Sequence, residues 1–120
     1  MGAFFLHRLN DHLQYLNRIK ATLSGTGDFR GTGHRDCKLG KWMDTAGPAE
    51  AAEVGREATA VFDSLAEPHQ QFHEASAKAL ELALAGEASA AEEEITAMYR
   101  LSALLVDRLL ELDRLSGSAK

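Results

Sequence analysis

Apolar residues recur at intervals of three and four through most of this 120-residue chain. Side chains at these intervals share one face of an α-helix. The chain has only two prolines, which leaves room for long uninterrupted helices. No segment shows the alternating period of a half-buried strand. The sequence therefore predicts an all-α fold.

Five helices are predicted from this periodicity and from the residues that begin and end helices. In chain order they are Phe4–Ser24, a short helix from Cys37 to about Gly47, Pro48–Leu65, Pro68–Gly86 and a last helix from Ser89. Ser89 and Glu92 have the spacing of a capping box. The expected architecture is a four-helix-bundle-like domain with one additional short helix, which carries Cys37.

The size of the chain indicates one domain. A chain of 120 residues can bury a hydrophobic core without disulfides but is too short to divide comfortably. Hydrophobic residues make up 45% and charged residues 26%, which is typical of a globular protein. We expect a single domain over residues 1–116 and a disordered tail over residues 117–120.

Charge and hydropathy argue against several classes of partner. The net charge is -5 and the basic residues form no cluster, which disfavours nucleic acid and anionic membrane surfaces. No apolar run approaches the length of about 18 residues expected of a membrane span, so no membrane insertion is expected. The N-terminus lacks the features of a signal peptide. A cytoplasmic location is the resulting expectation.

His12 lies on an apolar helical face. It is 7 residues after Phe5, 3 after Leu9 and 4 before Leu16. Burial of an imidazole without hydrogen bonds costs about 2 kcal/mol or more, so a buried His12 needs polar partners. It is either a core histidine bonded to a polar group or a metal ligand.

Three further residues are candidate metal ligands. His69 and His73 are four residues apart, so both imidazoles share one helical face and can reach one ion, although chance can also produce this spacing. Cys37 is the only cysteine, which excludes an intrachain disulfide. It is a small buried hydrophobe, a metal ligand or an intermolecular link.

Taken together, these residues resemble the chemoreceptor zinc-binding domain, a family found attached to bacterial chemoreceptors and diguanylate cyclases and sometimes alone. The family pattern is a histidine followed three residues later by an aromatic, then Cys-x-Leu-Gly-x-Trp, then His-x-x-x-His. This chain has His12 with Tyr15, then Cys37-Lys-Leu-Gly-Lys-Trp42, then His69-Gln-Gln-Phe-His73. It departs from the pattern at Tyr15, where Trp is common, and in a shortened, glycine-rich loop before Cys37.

The resemblance implies a zinc site formed by His12, Cys37, His69 and His73. Three neutral imidazoles and one thiolate form the closed tetrahedral set that structural zinc prefers. Because four protein ligands leave no position for a catalytic water, no enzymatic activity is expected. The two remaining histidines, His7 and His34, are expected to be surface residues or substitute ligands if Cys37 releases the metal.

The resemblance also implies a regulatory role in signal transduction. The module would sense zinc availability, or oxidants such as hypochlorous acid through the zinc-bound Cys37, and would signal through a partner protein or a homodimer. Apolar residues of the last helix offer a dimer surface or complete the core of the monomer: Leu101, Leu104, Leu105, Val106 and Leu109. The alternatives are a purely structural zinc in an interaction adaptor and a hemerythrin-like non-heme iron bundle, which would need carboxylate ligands.

Overall fold

The computed structural model describes the backbone of residues 3–118 and the side chains of residues 5–117. The described residues form six helices and no strand: α1 (Ala3–Leu23), α2 (Lys38–Asp44), α3 (Gly47–Val54), α4 (Arg56–Asp63), α5 (Ala66–Leu84) and α6 (Ala88–Ser118). The predicted all-α, bundle-like fold is confirmed.

The helix α6 is the longest element, with 31 residues, and the bundle forms around it. It packs against α5 most extensively, and also against α1, α3 and α4. Side chains from three of these helices meet in the centre of the core, where Ile19, Phe72, Met98 and Leu105 are all 0% exposed. Burial of each such side chain contributes about 1.5–3 kcal/mol to folding.

The predicted third helix, Pro48–Leu65, is wrong in one respect, because the structure divides it into α3 and α4 at Gly55. Gly55 has a φ of 143°, a conformation that residues with a side chain rarely adopt. The apolar periodicity continues across the break, since Ala58 and Phe62 of α4 are buried like Ala51 of α3. Periodicity alone therefore does not reveal the change of direction.

The predicted helix starts differ from the structure by one or two residues, and in two cases the difference changes which residue caps the helix. The helix α2 begins at Lys38, so Cys37 precedes the helix and caps it. The helix α6 begins at Ala88, and the amide of Ala91 donates to the carbonyl of Glu87. Glu87 therefore accepts the first helical hydrogen bond, and Ser89 lies inside the first turn rather than at the cap position.

The end of α6 includes Gly117 and Ser118, the first two residues of the predicted tail, whereas residues 119 and 120 lie outside the described residues.

Leu105 and Leu109 are fully buried and complete the core of the monomer. Leu104 and Leu110 lie outside this buried face and are 36% and 44% exposed. None of the described helices has the length and hydropathy needed to cross a membrane.

Candidate metal centre

Three of the four predicted ligands lie together in the core. Cys37, His69 and His73 are buried, and their potential ligand atoms lie within 4.8 Å of one another. The Sγ atom of Cys37 is 3.3 Å from the Nε2 atom of His69. Two such ligands on a tetrahedral zinc would be about 3.6 Å apart, given the usual zinc–sulfur and zinc–nitrogen distances. This donor set fits zinc in both chemistry and spacing.

The helix α5 places two of these ligands. His69 and His73 are one turn apart, with ring centroids 4.8 Å from each other, and they are 2% and 6% exposed. Phe72, which is fully buried beside them, anchors this face of α5 in the core. The orientation of both imidazoles therefore follows from the packing of the helix.

His73 is held in the tautomer that a metal requires. Its Nδ1 atom is 3.0 Å from the carbonyl oxygen of Thr32. A carbonyl only accepts hydrogen bonds, so Nδ1 carries the proton and donates it. The lone pair then resides on Nε2, which is available to a metal.

Tyr15 connects α1 to the loop that carries Thr32. The amide of Thr32 donates to the Tyr15 hydroxyl over 2.9 Å, and this hydroxyl lies 3.2 Å from Nδ1 of His73. The ring packs edge-on against Phe29 and Phe72. The aromatic residue three positions after His12 therefore positions the loop as well as filling the core.

The cysteine motif forms the start of α2. The amide of Gly40 donates to Sγ of Cys37 over 3.2 Å, so the thiol caps the helix. Gly40 has no room for a side chain, because a Cβ there would lie 1.8 Å from the carbonyl oxygen of His34. Trp42 packs edge-on against Phe5 and Phe62. Glycine and tryptophan in this motif thus place the thiol beside α5.

His12 is buried next to the three-residue group but, among the described residues, is not a member of it. Its Nε2 atom lies 2.8 Å from the Oγ atom of Ser102 on α6. Its ring packs edge-on against Phe72, with centroids 4.8 Å apart. The structure thus brings three predicted ligands together, whereas His12 contacts Ser102 and Phe72 instead.

The comparison with protein families agrees with this geometry. The family model of the chemoreceptor zinc-binding domain matches residues 12–80, which is more than half of the chain. The chain belongs to the chemoreceptor zinc-binding domain family. No curated protein and no solved structure shows significant similarity to it.

The matched range of this chemoreceptor zinc-binding domain contains all four predicted ligands and ends within α5. Membership of the family, together with the cluster of Cys37, His69 and His73, indicates a zinc-binding regulatory domain. The family is not known as an enzyme family.

Burial controls the charges in the zinc-binding domain. Together with the smaller effect of neighbouring histidines, it lowers the pKa of His12 to about 4 and that of His69 to about 3. Burial also lowers the pKa of His73, although its hydrogen bond to Thr32 opposes this. The three imidazoles are therefore neutral near pH 7 and keep lone pairs for a metal.

Cys37, unlike the histidines, must be in its charged form, the thiolate, to bind a metal. Burial raises the pKa of its thiol, and the hydrogen bond from the Gly40 amide opposes this only in part. Without a metal the thiol keeps its proton at neutral pH, and metal binding must release it.

Sequence reasoning missed two partners of the zinc-binding domain's histidines. The carbonyl of Thr32 is a backbone group and leaves no signal in the sequence. Ser102 does leave one, because it is a polar residue between the apolar positions Leu101 and Leu105 of α6. His34 is half-buried near His69 rather than a surface residue, whereas His7 is exposed.

Proposed function

We propose that this domain is a regulatory module that holds one zinc ion through His12, Cys37, His69 and His73. The observation that carries the proposal is the buried group of one thiol and two imidazoles at zinc-like spacing, next to a third buried imidazole. Closed four-ligand sites of cysteine and histidine stabilise folded structure rather than activate water.

His12 is suited to be the fourth ligand. If its Nε2–H donates to Ser102, the lone pair resides on Nδ1, as ligating histidines usually require. Its ring already packs against Phe72, which lies between the two α5 ligands in sequence. Nδ1 is then the atom through which His12 would bind zinc.

The ligands come from three segments that are distant in sequence: α1, the start of α2, and α5. Bound zinc would supply a cross-link between them, and structural zinc sites contribute apparent free energies of about 10–16 kcal/mol. Cys37 lies between a glycine-rich loop and a helix of seven residues, so it is the least firmly anchored ligand. Loss of zinc would loosen the Cys37–Trp42 segment first.

Cys37 is also the ligand through which an oxidant would act. Its thiolate and hypochlorous acid give a sulfenic acid and chloride: the sulfur loses two electrons, a sulfur–oxygen bond forms and the oxygen–chlorine bond breaks. Cys37 lines a surface cavity of about 290 Å³ that also includes Lys38 and Lys41. This cavity supports access of a small oxidant to the sulfur.

To pass on a signal, such a module must contact a partner protein or a second copy of this chain. Leu104 and Leu110 of α6 are partly exposed apolar side chains that either one could contact. Sedimentation with and without zinc should show a zinc-dependent change in mass if the module signals through a dimer. A monomer both with and without zinc would exclude signalling through a homodimer, and a partner protein would then be the remaining route.

Two alternative functions make different predictions. An iron site of the hemerythrin type needs carboxylates, and the ligand group among the described residues contains none. A purely structural zinc would not exchange with a chelator while the protein stays folded. Zinc that exchanges within minutes supports the sensor.

Zinc titration against a chromophoric chelator tests the ligand set. Each of four single variants should weaken zinc binding by at least about tenfold: His12→Ala, Cys37→Ala, His69→Ala and His73→Ala. Loss of a ligand should cost at least as much affinity as loss of a residue that only hydrogen-bonds to a ligand, which is typically about tenfold or more. The control is His7→Ala, which alters an exposed histidine and should keep the wild-type affinity. Wild-type affinity in His12→Ala would reduce the set to three protein ligands.

Two measurements test the regulatory role. Removal of zinc should increase hydrogen exchange in residues 37–42 before it does so in α5, and equal protection with and without zinc would exclude the switch. One equivalent of hypochlorous acid should modify Cys37 and weaken zinc binding, as judged by mass spectrometry and chelator competition. Modified protein that keeps the wild-type zinc affinity would exclude oxidant sensing.

A further inference from the structure

His34 lies closer to the α5 ligands than its position in a loop suggests. Its ring centroid is 6.0 Å from that of His69 and 6.4 Å from that of His73. The two α5 rings are 4.8 Å apart. The His34 ring is therefore only 1.2 Å farther from His69, and 1.6 Å farther from His73, than the two α5 rings are from each other.

The backbone holds His34 beside Cys37. The Sγ atom of Cys37 is 3.5 Å from the carbonyl oxygen of His34. The same carbonyl packs against Gly40, where the absence of a side chain permits the close approach. These two contacts hold the backbone of His34 next to the ligand group.

The His34 side chain also has space to move. His34 and His69 line a cavity of about 150 Å³, together with Gly40, Met43 and Gln70. His34 itself is half-buried, so a rotation about its side-chain bonds need not disrupt the core. A neutral imidazole is a good zinc ligand, and four ligands complete the tetrahedral site.

We propose that His34 replaces Cys37 as the fourth zinc ligand when the thiolate is unavailable. This inference rests on the proposed zinc site and assigns it a second coordination state. The replacement exchanges a negatively charged ligand for a neutral one, so the site becomes one unit more positive. Loss of the thiolate would then change the charge and anchoring of α2 without releasing the metal at once.

A double-mutant cycle with Cys37→Ser and His34→Ala tests this replacement. Serine at position 37 can still accept the Gly40 amide as a helix cap, so Cys37→Ser should stay folded. His34→Ala should change zinc affinity less than about twofold alone, but by about tenfold or more in the Cys37→Ser background. His7→Ala is the control and should have no effect in either background.

Spectroscopy of the bound metal tests the replacement in a second way. It reports the ligands directly, needs no measurement of affinity and uses only the single variant Cys37→Ser. Cobalt bound to Cys37→Ser should show the intense visible bands of a four-coordinate site, and zinc X-ray absorption should report four imidazoles. Three imidazoles with weak, six-coordinate cobalt bands would overturn the replacement, as would an equal effect of His34→Ala in both backgrounds. Wild-type protein without zinc would overturn the proposed function as well.

Discussion

The Nε2 atom of His12 lies 2.8 Å from the Oγ atom of Ser102, in a buried contact between residues 90 positions apart. His12 lies inside the part of the chain that matches the family model, and Ser102 lies outside it. The longest helix of the bundle is therefore bonded directly to a candidate ligand. Any movement of His12 toward the metal must stretch this hydrogen bond or carry α6 with it.

Ser102→Ala should weaken zinc binding by about tenfold, because His12 then loses the hydrogen-bond partner that fixes its tautomer and orientation. The measurement is chelator competition. Ser116→Ala is a matched control on the same helix, since Ser116 is 3% exposed and its Oγ has no hydrogen-bond partner among the described residues. Equal affinities in the two variants would show that Ser102 does not orient the ligand.

The sequence predicted some parts of the site and not others, for physical reasons. The spacing of His69 and His73 predicts a shared helical face, and the structure has it, because helical geometry is local. The break at Gly55 was not predicted, since glycine is compatible with a helix as well as with a φ of 143°. The contact of His12 with Ser102 depends on how α1 packs on α6, which no local pattern encodes.

Gly40→Ala should destabilise the domain by about 2 kcal/mol, because the new methyl group would overlap the backbone of His34 and force the loop away from α2. Zinc affinity should fall as well, since Cys37 moves with the loop. Urea denaturation of the metal-free protein measures the first effect. The control is Gly117→Ala on α6, where a Cβ would meet no described atom within 4 Å. Equal stabilities of the two variants would contradict the packing described for the motif.

Tyr15→Phe should lower the free energy of unfolding by about 1 kcal/mol, because the amide of Thr32 loses its acceptor while the ring contacts remain. Hydrogen exchange at Thr32 should increase at the same time. Tyr99→Phe provides the control, since Tyr99 is 41% exposed. Unchanged exchange at Thr32 in Tyr15→Phe would rule out this role of the hydroxyl.

The metal-free domain should lose stability as the pH falls below about 6.5. Folding lowers the pKa of His12 from 6.5 to about 4 and that of His69 from 6.5 to about 3, so the unfolded chain binds more protons in this range. Stability is then full above pH 6.5 and falls by up to about 1.4 kcal/mol per pH unit for each histidine. Urea denaturation at pH 7, 6 and 5 measures the slope. A flat profile would mean that these histidines are solvated in the metal-free protein.

The zinc K-edge X-ray absorption spectrum of the purified wild-type protein tests the central claim most directly. The account predicts one zinc per chain, bound by one sulfur at about 2.3 Å and three imidazole nitrogens at about 2.0–2.1 Å. A spectrum without a sulfur ligand, or a protein that carries iron or no metal, would contradict it.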